Sequence, residues 1–236
     1  MNIENPIKNY LKHPKVFLIK LPSICVYTFI LFNALAMILY AGGTYFDAAN
    51  PTYSITKNFF SDLGRSVTYS GQENWLSFFL FNSCVSFAGV VFILFYLHFN
   101  RLFIKDKKNR ALAIIGTFFC ILGSLCLIGV ALTPANLLYD PHNFCSKWTF
   151  RLFFPGTLCY AIALFRSTNF NNKMAYAYLS WAFLVITYVL VSELGPPSTQ
   201  SNAALVFQVV SQKLIVLTFV VNILYQTAEI KKIFKS

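Results

Sequence analysis

Apolar residues collect in six long runs, at 21–42, 75–98, 111–133, 147–165, 174–193 and 203–225, with shorter polar stretches between them. None of the runs alternates apolar and polar positions with the period of two that a barrel strand requires, so each predicts a helix. Each is close to the ~20 residues that an α-helix needs to cross a ~30 Å hydrocarbon layer. In lipid every backbone N–H and C=O must find its partner inside the segment, which a helix achieves by itself. The predicted fold is therefore all-α, a bundle of six transmembrane helices. It is preceded by a basic segment over 1–20 and followed by a basic tail over 229–236, with the membrane domain at 21–228.

Composition agrees with that pattern. The residues AVILMFWYC make up 57% of the 236 residues and DEKR only 11%, whereas soluble domains are about 25% charged. A water-soluble fold has too little polar surface here to cover its apolar side chains. The six cysteines include five inside apolar runs, and only Cys145 falls in an expected loop. They form no metal-binding spacing and suggest no disulfide framework.

The formal charge of +11 would suit a nucleic-acid binder, but its placement explains it otherwise. Lys8, Lys12, Lys15 and Lys20 precede the first run. Arg101, Lys105, Lys107, Lys108 and Arg110 join the second to the third, Arg166 and Lys173 the fourth to the fifth, and Lys231, Lys232 and Lys235 end the chain. All fourteen fall on one side of a six-span layout, which the positive-inside rule makes cytoplasmic, with both termini inside. Anionic lipid headgroups are the expected partners of these flanks, and nucleic acid is not. Integral insertion follows, in the plasma membrane of a bacterium or in an endomembrane or plasma membrane of a eukaryote. Residues 7–20 alternate Lys with apolar residues and predict an interfacial segment. The two halves share no motif, so no inverted repeat is read.

On the opposite side two loops draw attention. The first, 43–74, is long for a compact bundle. Ser54 can cap a short amphipathic helix ending at Gly64, with Ile55, Phe59, Phe60 and Leu63 on one face. Such a helix would lie as a lid over the bundle mouth or anchor at the interface. The second loop reads Thr133-Pro134-Ala135-Asn136-Leu137-Leu138-Tyr139-Asp140-Pro141-His142-Asn143. An acid beside an imidazole can fix its tautomer or share a metal with it, and the same residues also suit a simple turn. No cofactor is expected beyond a metal shared by Asp140 and His142.

Charges and amides also fall inside the runs. A charge at mid-membrane costs ~2.5–3.5 kcal/mol even on the gentler insertion scale. Lys213 lies ten residues into the sixth run, ~15 Å deep. Gln208, Ser211, Gln212 and Asn222 share one helical face, with Lys213 at its edge. Asn82 adds a polar group at comparable depth in the second run, Arg151 enters the fourth run close to the outer surface, and Glu193 closes the fifth. Lys213 and Arg151 require acidic partners, for which Glu193, Asp62 and Asp140 are the candidates. An outward-open polar cavity floored near Lys213 fits this distribution, and interhelical hydrogen bonds are the structural alternative. Trp75, Trp148 and Tyr40 fit an interfacial aromatic belt.

The segments Phe60-Ser61-Asp62-Leu63-Gly64 and Thr133-Pro134 through Tyr139-Asp140-Pro141-His142-Asn143 resemble the domain of unknown function 998 family. That family resembles the Frag/DRAM/Sfk group of six-helix membrane proteins. The resemblance covers the six-span layout and implies Asp62, Asp140 and His142 as shared site positions. Eukaryotic members of that wider group are associated with lipid handling and autophagy regulation.

Lipid binding or lipid chemistry at the extracytoplasmic leaflet is the leading expectation. Asp62, Asp140 and His142 would be the reactive groups. Arg65, Asn82, Asn143, Arg151, Glu193, Gln208, Gln212 and Lys213 would hold the headgroup. A small-solute transporter or channel, with Lys213 as its coupling charge, is the alternative, and a scaffold or regulatory subunit the third reading. The oligomeric state is not legible in the sequence.

Overall fold

A computed structural model describes residues 13–234. Lys8, Lys12 and Lys235, and the portion of the expected interfacial segment before residue 13, lie outside the described residues.

Six helices form, each long and apolar enough to cross a membrane. They are α1 (Leu21–Ile38), α2 (Trp75–Arg101), α3 (Arg110–Leu132), α4 (Tyr139–Arg166), α5 (Asn172–Leu194) and α6 (Asn202–Ile233). No β-strand is present among the described residues. Each helix packs on its neighbour in sequence, and α6 returns to α1, so the bundle closes into an up-and-down ring. The described part of the basic N-terminal segment differs from expectation. Val16–Lys20 is a π-helical turn that runs straight into α1, and Leu18 within it is fully buried. It extends the first span and does not lie apart on the surface.

Small residues bring α3 and α4 together. A Cβ on Gly116 would meet the Gly156 carbonyl at 3.0 Å, and one on Gly156 would meet Cys120 Sγ at 2.5 Å. Van der Waals contact of this kind holds membrane helices together, because lipid supplies no hydrophobic drive between them. Toward the end where α2 leads into α3, Tyr96, Phe99, Tyr160 and Tyr178 stack in the core. At the other end a second cluster of Tyr40, Tyr53, Leu63, Phe81 and Val85 lies under the 39–74 loop. Tyr40 is 4% exposed and belongs to this cluster, not to an aromatic belt. All six cysteines are free thiols.

Two local differences shape the candidate site. Helix α4 begins at Tyr139, eight residues before the expected start, and absorbs Asp140, Pro141, His142 and Asn143 into its first turns. Pro141 permits this, because a first-turn residue has no intrahelical acceptor for its N–H. The first loop carries its short helix only over Phe60–Gly64, as a 3₁₀ turn. Residues 54–58 form a separate turn instead of its first half, because Asn58 Oδ1 captures the Ser54 N–H at 2.9 Å. The loop is also no lid, since Leu63 is fully buried and Asp62 is 4% exposed. It is sunk into the mouth of the bundle.

Candidate functional site

The sunken segment is held by its own polar residues and by α6. The Asp62 carboxylate accepts the Phe59 N–H at 2.8 Å and the Asn58 amide at 3.4 Å, which caps the 3₁₀ turn from within. Asn58, fully buried, also donates to the Gly43 carbonyl at 3.0 Å. From α6, Gln212 Oε1 accepts the Phe60 N–H at 2.9 Å. The next residue, Lys213, donates from Nζ to the Asn58 carbonyl and sits 5.3 Å from the ring centroids of both Tyr53 and Phe60. Irregular backbone at this depth is tolerable because protein, not lipid, surrounds it.

The far side of the segment rests on α2. Asn74 Nδ2 donates to the Leu63 and Arg65 carbonyls at 3.2 and 2.9 Å, and its Oδ1 accepts the Ala41 N–H. Ser77 Oγ donates to the Leu63 carbonyl, and Asn82 Nδ2 to that of Gly64. Gly64 is required by space, since a Cβ there would meet Phe81 at 2.6 Å and Asn82 Oδ1 at 2.7 Å. The Ser61-Asp62-Leu63-Gly64 motif therefore has a structural meaning. The acid caps, the leucine anchors, and the glycine permits close approach.

Burial pushes the Asp62 carboxyl above its ordinary range, against the charge of Arg65, the two hydrogen bonds and the charge of Lys213. Burial likewise raises the phenols of Tyr40, Tyr53 and Tyr69, and the negative charge of Asp62 adds to it. Asp62 is not a member of the ion pairs seen among the described residues.

Above this segment opens a cavity of about 440 Å³ between the loops and the ends of α4, α5 and α6. Of the residues singled out in the sequence, Asp62, Arg65, His142, Asn143, Glu193, Gln208 and Gln212 line it. His142 is 6% exposed and its Nδ1 lies 2.7 Å from the Thr133 carbonyl. That oxygen can only accept, so Nδ1 carries the proton and a neutral ring keeps its lone pair on Nε2. The Arg65 guanidinium stacks on the Tyr69 ring at 4.0 Å.

Four residues stand elsewhere. Lys213 lies behind the sunken turn, so Gln212 and the 59–62 backbone floor the cavity in its place. Arg151 sits beside the cavity and pairs with Glu193 at 2.6 Å, with Lys147 3.8 Å from the same oxygen. Asn82 is turned to the Gly64 carbonyl. Asp140 is exposed and does not line the cavity. Two helical steps rotate it ~200° away from His142, so an Asp140–His142 pair, or a metal shared by the two, is not assembled by this geometry. Among the described residues no three of His, Cys, Asp and Glu converge as metal ligands would.

Several residues matter more than the sequence suggested. Asn58 and Asn74 organise the loop, yet isolated Asn residues in a loop carry no distinguishing signal. Asn136 reaches across to accept the Ser66 N–H and donate to Ser66 Oγ, tying the two loops together. Lys57 and Lys147 add positive charge to the cavity wall. Gln208 is spent on the carbonyls of Val191 and Pro196, and Asn222 on that of Ala177, so the inward amide face of α6 serves largely as interhelical glue.

These features define an integral membrane protein built as a six-helix bundle with a charged, loop-lined cavity at one end. The sequence model of the family described as protein of unknown function (DUF998) matches residues 34–222. That span takes in both loop motifs, all of α2 to α5 and parts of α1 and α6, and the chain belongs to this family. Comparison with curated proteins and with solved structures gives no match.

Proposed function

We propose that the cavity binds the anionic headgroup of a membrane lipid at the extracytoplasmic leaflet. The observation that carries this reading is the cavity's make-up. Lys57, Arg65 and Lys147 stand around its wall, and the only carboxylates among its lining residues are Asp62 and Glu193. Glu193 is engaged by Arg151 and Lys147, and Asp62 by its cap, which leaves Arg65 and Lys57 with charge to offer. Guanidinium and ammonium groups at a partly desolvated site suit a phosphate. The extracytoplasmic assignment rests on the positive-inside rule, since the cavity lies at the end away from the basic loops and tail.

Beneath the cavity the interior contains no charged lining residue and is walled by groups such as Phe92, Phe153 and Phe219. A hydrated ion gains nothing there, whereas a lipid does, which favours lipid over solute passage. The resemblance to the Frag/DRAM/Sfk group supports the same class of ligand. His142 is the one imidazole of the site, and a reaction on the bound lipid would draw on its Nε2 lone pair.

The test is lipid retention. Protein purified from mixed phosphatidylcholine and phosphatidylglycerol membranes is delipidated stepwise, and the bound lipid is read by native mass spectrometry. The anionic lipid is expected to persist at about one per chain and to be lost at least tenfold more readily from Arg65→Ala. Equal retention of both lipids, unchanged in Arg65→Ala, would overturn the proposal. Displacement of the lipid by millimolar inorganic phosphate would identify a soluble anion as the ligand instead.

A further inference from the structure

The polar cavity is bounded unevenly. Its floor is the sunken turn with Gln212, and beneath it the bundle interior holds an apolar chamber of about 80 Å³, too small for the chains of a phospholipid. A lipid whose head fills the cavity therefore keeps its chains outside the bundle, and one wall has to let them pass. Three walls are sealed. Between α3 and α4, a Cβ on Gly129 would meet Cys145 Sγ at 2.5 Å, so the helices touch. Between α5 and α6, Gln208 bonds the Val191 and Pro196 carbonyls. Between α6 and α1, Phe60 of the sunken segment lies against Lys213 and Phe29.

The wall between α4 and α5 differs. Ser146, Lys147, Tyr188 and Ser192 line the cavity and also a separate cleft of about 30 Å³, so this wall is one side chain thick. Arg151 and Val189 line the cleft but not the cavity. The Phe150 and Tyr188 rings, edge to face with centroids 4.7 Å apart, close it toward the core. An ion-pair cluster spans it. Arg151 and Lys147 of α4 converge on one oxygen of Glu193 on α5, at 2.6 and 3.8 Å, and the three side chains are 31, 41 and 33% exposed. Two cations on one carboxylate leave one positive charge in excess on the outer side of the wall. Arg151 sits one helical turn below Lys147, ~6 Å deeper. A cation there is costly unless an anion meets it, and the phosphate of a leaflet lipid is such an anion, with a geometry that a guanidinium can bind through two N–H groups.

We infer that the lipid enters and leaves the cavity sideways, through the wall between α4 and α5, and that Arg151 exchanges Glu193 for the phosphate of the incoming lipid. The inference rests on the headgroup reading and adds the route and its latch. Glu193 holds the wall shut between binding events and repels the phosphate, and Arg151 draws it in. The chains stay in the leaflet, against the exposed Trp148, Leu190 and Leu194.

Opposite signs separate this latch from an ion pair that only stabilises the bundle. Delipidated protein is mixed with vesicles of phosphatidylcholine and phosphatidylglycerol, and transfer of phosphatidylglycerol to the protein is followed by native mass spectrometry. Glu193→Gln releases the latch and should speed uptake at least threefold. Arg151→Gln should slow uptake and raise the rate of loss about fivefold, because removing one member of a partly desolvated charge pair acts strongly on dissociation. Variants that shift uptake in the same direction, or leave it unchanged, overturn the latch.

The route is read separately. On a background without the native cysteines, Ser146→Cys/Ser192→Cys is joined across the wall by a short, reducible bis-thiosulfonate. The bridge should slow phosphatidylglycerol uptake at least tenfold, and reduction should restore it. Binding of inorganic phosphate, which arrives from the aqueous side, should not change. The two charge variants need no cysteine pair, so misfolding of the bridged protein does not shelter the idea. Undiminished uptake through a bridged wall overturns sideways entry and leaves the headgroup site standing. Failure of the wild type to retain phosphatidylglycerol at all overturns both readings.

Discussion

The ammonium of Lys213 donates to the main-chain carbonyl of Asn58 at 2.5 Å, joining positions 155 residues apart in the chain. A cation eleven residues into α6 is thus met by a loop that reaches down to it, and among the described residues no acid lies within ion-pair distance of it. The carbonyl is also bonded by Tyr53 Oη at 3.0 Å, and Gln212 holds the neighbouring Phe60 N–H. Two consecutive residues of α6 therefore set the depth of the first loop, and through it the position of Asp62.

Replacing Lys213 by Met removes one charged donor but leaves the Tyr53 bond in place. The effect should be local. Hydrogen bonds to charged groups contribute ~1.5–3 kcal/mol, and relief of a half-buried charge offsets part of that loss. Amide exchange across 58–62 is expected to rise about tenfold, while the thermal midpoint falls by only a few degrees. Hydrogen-exchange mass spectrometry reads the first quantity and fluorescence melting the second. An unchanged exchange rate would show that α6 does not hold the loop.

Asp62 should make stability depend on pH in the direction opposite to a paired surface acid. Its carboxyl titrates above the ordinary value of 3.8 because it is buried. The native state then holds a proton that the unfolded state has already released, so stability falls as pH rises from about 4 through the raised native value. Melting of the detergent-solubilised wild type between pH 4 and pH 8 should show this loss. Asp62→Asn keeps an acceptor for the Phe59 N–H and cannot ionise, so its profile should lose that slope.

Gly64→Ala places a methyl group against Phe81 and Asn82 on α2, both inside 3 Å. Overpacking of this sort costs ~1–3 kcal/mol. The melting temperature should drop by several degrees and loop exchange should increase. At Gly71, where nothing lies within 4 Å and φ is 81°, substitution to Asn should be far milder, because Asn accepts a positive φ.

Threading can be checked in a background lacking the six native cysteines. Leu137→Cys, at a position 66% exposed in the cavity-side loop, should react with a membrane-impermeant maleimide added outside intact cells. Lys107→Cys, exposed on the basic side, should react only after permeabilisation. The reverse pattern would place the cavity in the cytoplasm and end the extracytoplasmic proposal.

The sequence by itself determined the six helices, because the hydrophobic length needed to cross a bilayer is written locally in each run and needs no partner. It also marked α6 as the helix with an inward amide face, since Gln208, Gln212 and Asn222 repeat at helical spacing and are all buried. What it could not set was how the loops settle. The run from Tyr139 to Asn143 reads equally as a turn or as a helix start, and only packing of His142 beneath the Thr133 carbonyl selects the helix. That choice turns Asp140 outward and His142 inward, which their closeness in sequence conceals. The descent of residues 58–64 into the bundle depends on Gln212, Lys213, Asn74 and Ser77, which come from two helices distant in sequence. Such bonds compete with water until the helices have assembled, so their geometry belongs to the tertiary structure. The same holds for the unpaired indole of Trp181, a lone tryptophan in an apolar run that becomes an unsatisfied donor only once Phe153 of α4 and Phe219 of α6 pack around it.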